Sequence, residues 1–108
     1  MFLIVTKYLI PKGYRGLTVF PFVFVKYRLD KENLVFVNHE RIHLRQQLEL
    51  LVIPFFIWYF IEFVLRLIQY KNLDLAYRNI SFEREAYANE KDLNYLNQRF
   101  FYNFLKNI

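Results

Sequence analysis

At 108 residues the chain is long enough for one domain with its own core, and we expect a single domain spanning 1–108. Hydrophobic residues make up 56% and aromatic residues 21% of the chain, which predicts a very aromatic core or a surface that contacts lipid or a partner. The net charge of +5 is dispersed, which favours an anionic membrane surface over nucleic acid, and the lack of cysteine excludes disulfides, thiolate zinc sites and cysteine nucleophiles.

The first part of the chain, residues 1–29, is predicted to form a β region. Residues 2–10 and 17–27 are rich in β-branched and aromatic side chains, and the loop at 13–16 between them predicts a β-hairpin or small antiparallel sheet. Pro21 has no N–H for a ladder, so we expect an edge or bulged strand, available either for substrate strand addition or only to cover a helix. The apolar start lacks a basic region and a cleavage site, so we expect no signal peptide and a cytoplasmic or membrane-associated protein.

The remainder, residues 33–108, is predicted to be a helical metal-binding region of three to four helices, which together with the β region makes an α+β fold. Asn33 is a plausible N-cap for a helix from about 34 to 52, which Pro54 ends or kinks. A further helix is expected within 75–96. A short amphipathic helix is expected in the last ten residues.

The hydrophobic maximum lies at residues 50–69. About 20 apolar residues span a bilayer, and this segment reaches that length only by including Glu62 and Arg66, which are spaced to pair on a helix. A core or interfacial helix is therefore one interpretation. A spanning helix whose charged pair faces protein is the other.

The motif with the clearest chemistry is His39-Glu40-Arg41-Ile42-His43, an H-E-x-x-H sequence that uses both histidines of the chain. Residues four apart share a helix face, so His39 and His43 are predicted to offer two imidazole nitrogens to one Zn²⁺. Glu40, beside the first ligand, is predicted to be the catalytic base that takes a proton from water. Gln46 and Gln47 lie near this face and either bind a ligand or are solvent-exposed.

A catalytic zinc site usually has three protein ligands, so a carboxylate must complete this one. Glu83 is the preferred candidate because the helical stripe it shares with Ala76, Ile80 and Tyr87 is mostly apolar and is expected to face the core. Glu85 points to another face of the same helix. It is the alternative ligand, or a carboxylate that pairs with a basic neighbour.

The order of these features resembles the gluzincin zinc metallopeptidases, and among them the membrane-associated heat-shock zinc proteases, CAAX prenyl proteases and sensor peptidases of β-lactam resistance. These families place a zinc-binding Glu after the H-E-x-x-H helix in an E-x-x-A-D pattern, which Glu83 and Ala86 match. The resemblance covers about residues 36–90. It implies zinc-dependent hydrolysis of peptide bonds in a peptide or protein substrate, with His39, His43 and Glu83 on the metal.

Three features depart from that pattern. Tyr87 stands where the family has an Asp that orients a histidine, Arg41 is charged where the family favours an uncharged residue, and the chain is shorter than most active members. Tyr87 either supplies a hydrogen bond to the site or is an ordinary core aromatic. The departures support an alternative function, a catalytically inactive zincin-fold module that binds a partner or a membrane surface. A third interpretation is a membrane-surface protein whose motif is accidental.

Overall fold

The computed structural model describes residues 2–10 and 12–108. A three-stranded sheet near the start of the chain is followed by helices, which confirms the α+β class. The elements, in chain order, are β1 (Phe2–Val5), β2 (Gly16–Val19), β3 (Phe22–Val25), a 3-10 turn (Arg28–Glu32), α1 (Leu34–Leu50), α2 (Val52–Tyr70), α3 (Leu73–Arg78), α4 (Ser81–Asn89), α5 (Tyr95–Gln98) and a second 3-10 turn (Asn103–Asn107).

The sheet has the order β1-β3-β2 and is mixed. The expected hairpin between residues 2–10 and 17–27 is wrong in its pairing, because β1 runs parallel to β3 and the hairpin joins β2 to β3. Pro21 lies at the turn between β2 and β3, where its fixed φ and missing N–H are tolerated, so the second apolar run divides into two strands. The expected edge strand is β2, and its hairpin partner β3 is central.

Helix α1 begins where the sequence predicts and lies beneath the sheet. The side chain of Asn33 accepts a hydrogen bond from the backbone N–H of Phe36 at 3.1 Å, as an N-cap does. The helix ends at Leu50 because Leu51 adopts a positive φ of 67°, and α2 starts at once. Pro54 does not end α1; it lies in the first turn of α2, where its missing N–H costs no helical hydrogen bond.

One hydrophobic cluster lies between the sheet and α1, with Val23, Val25 and Leu44 as its buried members, and a second forms where α2, α4 and the C-terminal 3-10 turn meet. Its fully buried members include Phe55, Phe82 and Phe104, whose rings lie 4.5 and 4.6 Å apart in consecutive pairs. The helix expected within 75–96 is α4, and the shorter α3 before it is a separate helix because Ile80 has an extended backbone. The expected amphipathic helix at the C-terminus is a 3-10 turn that buries Phe104.

Helix α2 is the one helix in the described part of the chain that is long and apolar enough to cross a membrane, judged by length and composition. In the most apolar window only 11% of the residues are buried. The predicted Glu62–Arg66 pair is present at 3.6 Å, and Glu62 is buried against α4. The charged groups of α2 therefore face protein while its outer face is apolar.

Candidate metal centre

Two adjacent turns of α1 and the first turn of α4 bring His39, His43 and Glu83 together. The Nε2 atoms of the two histidines lie 3.2 Å apart, and Oε1 of Glu83 lies 3.2 Å from His39 Nε2 and 3.0 Å from His43 Nε2. All three residues are buried, with at most 6% of their surface exposed. The histidine spacing predicted the shared face of His39 and His43, and Glu83, the preferred carboxylate, is the one that reaches them. The helical stripe on which that preference was based is interrupted, because Ala76 lies in α3 and Ile80 is extended.

The triangle of ligand atoms has the size that a zinc ion requires. Ligands 2.0–2.1 Å from Zn²⁺ at tetrahedral angles lie about 3.3 Å from one another. The three sides observed here are 3.0, 3.2 and 3.2 Å. Two imidazoles and a carboxylate form a common ligand set for catalytic zinc, so the residues present fit this metal.

Without a metal the same atoms form a buried ion pair. Burial alone would lower the pKa of His43, but the Glu83 carboxylate outweighs burial and raises that pKa to about 9. Burial alone would raise the pKa of Glu83, yet His43 and then His39 lower it well below its ordinary value. Without a metal the site therefore holds the negative charge of Glu83 and a proton on His43. A metal cation can replace that proton.

His39 is held by residues that the sequence analysis missed. Its Nδ1 lies 3.2 Å from Oε1 of Glu90. This carboxylate can accept a hydrogen bond from a protonated Nδ1, which leaves Nε2 to bind a metal. The adjacent Asn38 donates to the carbonyl of Asn89 at the end of α4, at 3.3 Å, and to that of Glu90, the next residue, at 2.8 Å. Glu83 and Glu90 are seven residues apart, a two-turn spacing that was available as a signal. Glu90 is therefore placed to fix the orientation of the His39 ring.

Glu40 faces the cleft from α1 and is fixed by β2. Thr18 donates its hydroxyl to Oε2 of Glu40 at 2.5 Å. A Cβ on Gly16 would lie 3.1 Å from Oε1 of Glu40 and 2.7 Å from the ring of Phe36, so this close approach requires glycine. The edge strand therefore contacts the predicted base directly. Arg41, one residue further along α1, is exposed and points away from the site.

The second oxygen of Glu83 and the tyrosines complete the surroundings. Tyr59 of α2 donates to Oε2 of Glu83 at 2.7 Å, so each oxygen of this carboxylate has its own partner. Tyr87 packs its ring edge-on against His39, with centroids 4.6 Å apart. Burial, followed by the Glu83 charge, raises the pKa of Tyr77 far above its ordinary value, so its phenol remains a proton donor.

Glu85 does not reach the histidines and is not the third ligand in this arrangement. Both of its oxygens contact the guanidinium of Arg99, and Tyr95 donates to Oε2 at 2.5 Å. The expectation of a basic partner is correct, although Glu85 is fully buried and not solvated. Gln46 and Gln47 are also buried, which excludes the solvent-exposed interpretation of both.

Two cavities open on either side of Glu40. One, of about 560 Å³, reaches His43 and has mostly aromatic walls; these are Tyr14, Phe55, Phe56, Tyr59, Phe60, Phe63 and Tyr77. The other, of about 630 Å³, reaches His39 and is polar, with Arg15, Asp74, Arg78 and Glu90 among its walls. Their walls have Tyr14, Gly16, Glu40 and Tyr77 in common, and we refer to the two together as the cleft, which reaches His43 on its aromatic side and His39 on its polar side.

No family model, curated protein or solved structure matches this chain. The resemblance to gluzincins remains a prediction based on five residues, His39, Glu40, His43, Glu83 and Ala86.

Proposed function

We propose that this protein is a minimal zinc-dependent peptidase of the gluzincin type. The observation that supports it is the 3.0–3.2 Å triangle of His39, His43 and Glu83 with Glu40 one residue from the first ligand. Three buried ligand atoms, a neighbouring carboxylate and an open cleft are the components that zinc hydrolases require. Chance placement of the motif would not predict that a distant carboxylate completes it.

Zn²⁺ held by the three ligands would supply a Lewis acid that activates water and polarises a carbonyl. Glu40 takes the proton from the attacking water and delivers it to the leaving amine, a role for which the hydrogen bond from Thr18 orients it. Tyr77 keeps its proton and lines both cavities. We therefore assign to its phenol, in preference to that of Tyr87, the hydrogen bond that stabilises the carbonyl oxygen of the cleaved peptide bond.

Strand β2 provides a place for the substrate backbone. Lys26 N–H donates to the carbonyl of Arg15 at 2.8 Å, so in the antiparallel register Gly16 and Thr18 direct their backbone groups to the outer edge. Gln47 donates to the Thr18 carbonyl at 2.6 Å, so this carbonyl is already paired and is not open to a substrate. An extended peptide can pair with the part at Gly16, directly beside Glu40.

The two halves of the cleft suggest the side chains that flank the cleaved bond. Aromatic walls on the His43 side favour a large apolar residue, since its burial stabilises the complex by about 1.5–3 kcal/mol. The polar cavity on the His39 side accommodates a hydrophilic residue. We therefore expect cleavage of extended peptides next to a bulky hydrophobic residue.

Metal content and hydrolysis, measured together, test the proposed function. Protein purified without a metal-binding tag should contain one zinc per chain and cleave peptides from a diverse library. Glu40→Gln should retain zinc but lose at least about 100-fold in rate, and Glu83→Ala should lose zinc. Glu32→Gln, an exposed carboxylate outside the cleft, is the control that should change neither property. Full activity in Glu40→Gln would refute the assigned base, and failure to take up zinc would refute the proposal.

A second candidate function is supported by the outer face of α2. Its exposed residues are apolar except for Gln69 in the last turn, and the large ones are Ile53, Ile57, Phe60, Ile61, Val64, Leu65 and Ile68. The Glu62–Arg66 pair lies on the protein side, where Glu62 accepts hydrogen bonds from Ser81. A helix with one apolar face and protein behind it is suited to lie in a lipid interface, and the net charge of +5 favours an anionic one.

Vesicle binding distinguishes the two roles. The protein should sediment with vesicles of phosphatidylcholine and phosphatidylserine, and Ile57→Glu with Ile61→Glu should abolish this without loss of zinc. Zinc at full occupancy with vesicle binding but no cleavage of any peptide would favour an inactive membrane-surface module. Peptide cleavage without vesicle binding would favour a soluble peptidase.

A further inference from the structure

The ring nitrogen of His43 that faces away from the candidate metal contacts a glutamine. Oε1 of Gln46 lies 2.8 Å from Nδ1 of His43, and Nε2 of Gln46 donates to the backbone carbonyl of Phe82 at 3.1 Å and to Oε1 of Glu85 at 2.9 Å. Gln46 is completely buried. Its side chain therefore connects α1, which carries the histidines, with both the start and the middle of α4.

The partners of Gln46 determine which end of its amide faces His43. A carbonyl oxygen and a carboxylate are acceptors only, so the group facing Phe82 and Glu85 must be the NH₂. The oxygen of the amide then faces Nδ1 of His43, and that nitrogen must carry a proton to donate. With that proton held on Nδ1, Nε2 is the nitrogen that faces the triangle of ligand atoms and gives up its proton to a metal.

Glu85 is itself held from the C-terminal part of the chain. Arg99 contacts both oxygens of Glu85 and donates from Nη1 to Oε2 of Glu49 at 2.6 Å. The side chains of Arg99 and Glu85 are 0% exposed and that of Glu49 is 1% exposed. A buried carboxylate with a guanidinium partner stays ionised and so remains an acceptor for Gln46.

We propose that Gln46 is the positioning residue of His43, and that Arg99 acts through Glu85 to hold Gln46 in its one useful orientation. This inference rests on the proposed zinc site and adds the segment around Arg99 to that site. Neither Gln46 nor Arg99 contacts substrate or metal. Their effect is to set the proton of His43 on Nδ1 before a metal binds.

Zinc affinity measured by chelator competition tests the role of Gln46. Gln46→Met should weaken zinc binding about 10–100-fold, the usual effect of removing the hydrogen-bond partner of a metal-binding histidine. Gln47→Met is the matched control, because Gln47 is also buried on α1 and makes two side-chain hydrogen bonds, but to Thr18 of β2 and to Phe20 in the turn that follows β2. It should leave zinc affinity unchanged. The visible absorption spectrum of the Co²⁺-loaded protein should change in Gln46→Met only.

A double-mutant cycle tests the action of Arg99. Arg99→Lys should weaken zinc binding in the wild-type background and have no further effect in Gln46→Met, because the two residues act in series. Additive losses would refute the connection through Gln46. Equal losses of affinity in Gln46→Met and Gln47→Met, or none in either, would overturn the positioning role while the zinc site itself stands.

The wild-type protein gives a test that does not depend on any variant folding. Long-range ¹H–¹⁵N spectra of the zinc-loaded protein should show His43 bound through Nε2, with a slowly exchanging proton on Nδ1. Binding through Nδ1 would overturn the inference. A wild type that takes up no zinc would overturn both this inference and the proposed function, which separates that outcome from failure of the positioning role alone.

Discussion

His43 gives the metal-free protein a pH-dependent stability. Its pKa of about 9 in the fold exceeds the ordinary value of 6.5 because Glu83 lies beside it. The protonated ring therefore stabilises the fold fully below pH 6.5, and this contribution is lost as the pH rises through about 9. The loss is on the order of 3 kcal/mol.

Urea unfolding in the presence of a chelator measures this effect. The free energy of unfolding should fall between pH 6.5 and 9, and His43→Gln should flatten the profile. The zinc-loaded protein should not show the fall, because its His43 has no proton on Nε2 to lose. A level profile for the metal-free wild type would contradict the buried His43–Glu83 pair.

At the residue level, what the sequence predicts depends on helical spacing. His39, His43 and Glu40 follow from one local motif. Glu83 was chosen because Ala76 and Ile80 precede it at helical spacing, and both are buried as expected although the helix breaks at Ile80. Thr18, Tyr59 and Glu90 were missed because each contacts its partner in the site across more than 20 residues of chain. Only Glu90 had a local signal, its two-turn spacing from Glu83. The partner of Glu85 was not identified either, because Arg99 lies 14 residues further along the chain and beyond the end of the helix.

At the level of elements, the approach of β2 to α1 depends on Gly16. A methyl group there would lie 2.7 Å from the Phe36 ring and 3.1 Å from Glu40. We expect Gly16→Ala to lower the free energy of unfolding by about 1–3 kcal/mol and to reduce kcat/KM, because Glu40 must move. Gly13→Ala is the comparison for stability, since its Cβ meets nothing and the cost is its positive φ alone.

Chemical denaturation and peptide hydrolysis measure the two effects of Gly16→Ala. Activity equal to that of the wild type would show that β2 does not position Glu40.

The start of α4 is held by α2, although α4 has no side-chain cap of its own. Glu62 accepts from the backbone N–H of Ser81 at 2.5 Å and from its hydroxyl at 2.6 Å. Glu62→Ala leaves these buried donors without a partner, so we expect about 1–3 kcal/mol of destabilisation. Zinc affinity should fall as well, because Glu83 lies in the same turn.

Thermal unfolding and chelator competition measure both effects of Glu62→Ala. The exposed Glu32→Ala should stay within about 0.5 kcal/mol of the wild type. Zinc affinity unchanged in Glu62→Ala would show that α4 keeps its position without this contact. The spacing of Glu62 and Arg66 predicted their pairing, but the interaction with Ser81 is tertiary and has no local signal.

On the scale of the whole molecule, the site joins parts that are distant along the chain. The sheet contributes Thr18, α1 contributes the histidines, α4 contributes Glu83, and the C-terminal segment contributes Arg99. The two hydrophobic clusters lie under the sheet and between α2, α4 and Phe104. Composition predicts an α+β domain with aromatic packing, whereas strand pairing and helix breaks depend on contacts that only the fold creates.

Zinc should therefore stabilise the whole fold and not only the site. A ligand that binds the native state alone adds about 4 kcal/mol at 1,000 times its Kd. For a domain of this size such a gain corresponds to a rise in Tm on the order of 15 °C. Scanning calorimetry should show that rise with zinc, its reversal by a chelator, and no rise in Glu83→Ala. An equal rise in Glu83→Ala would place the zinc elsewhere, because α4 would then contribute no ligand to the ion that joins it to α1.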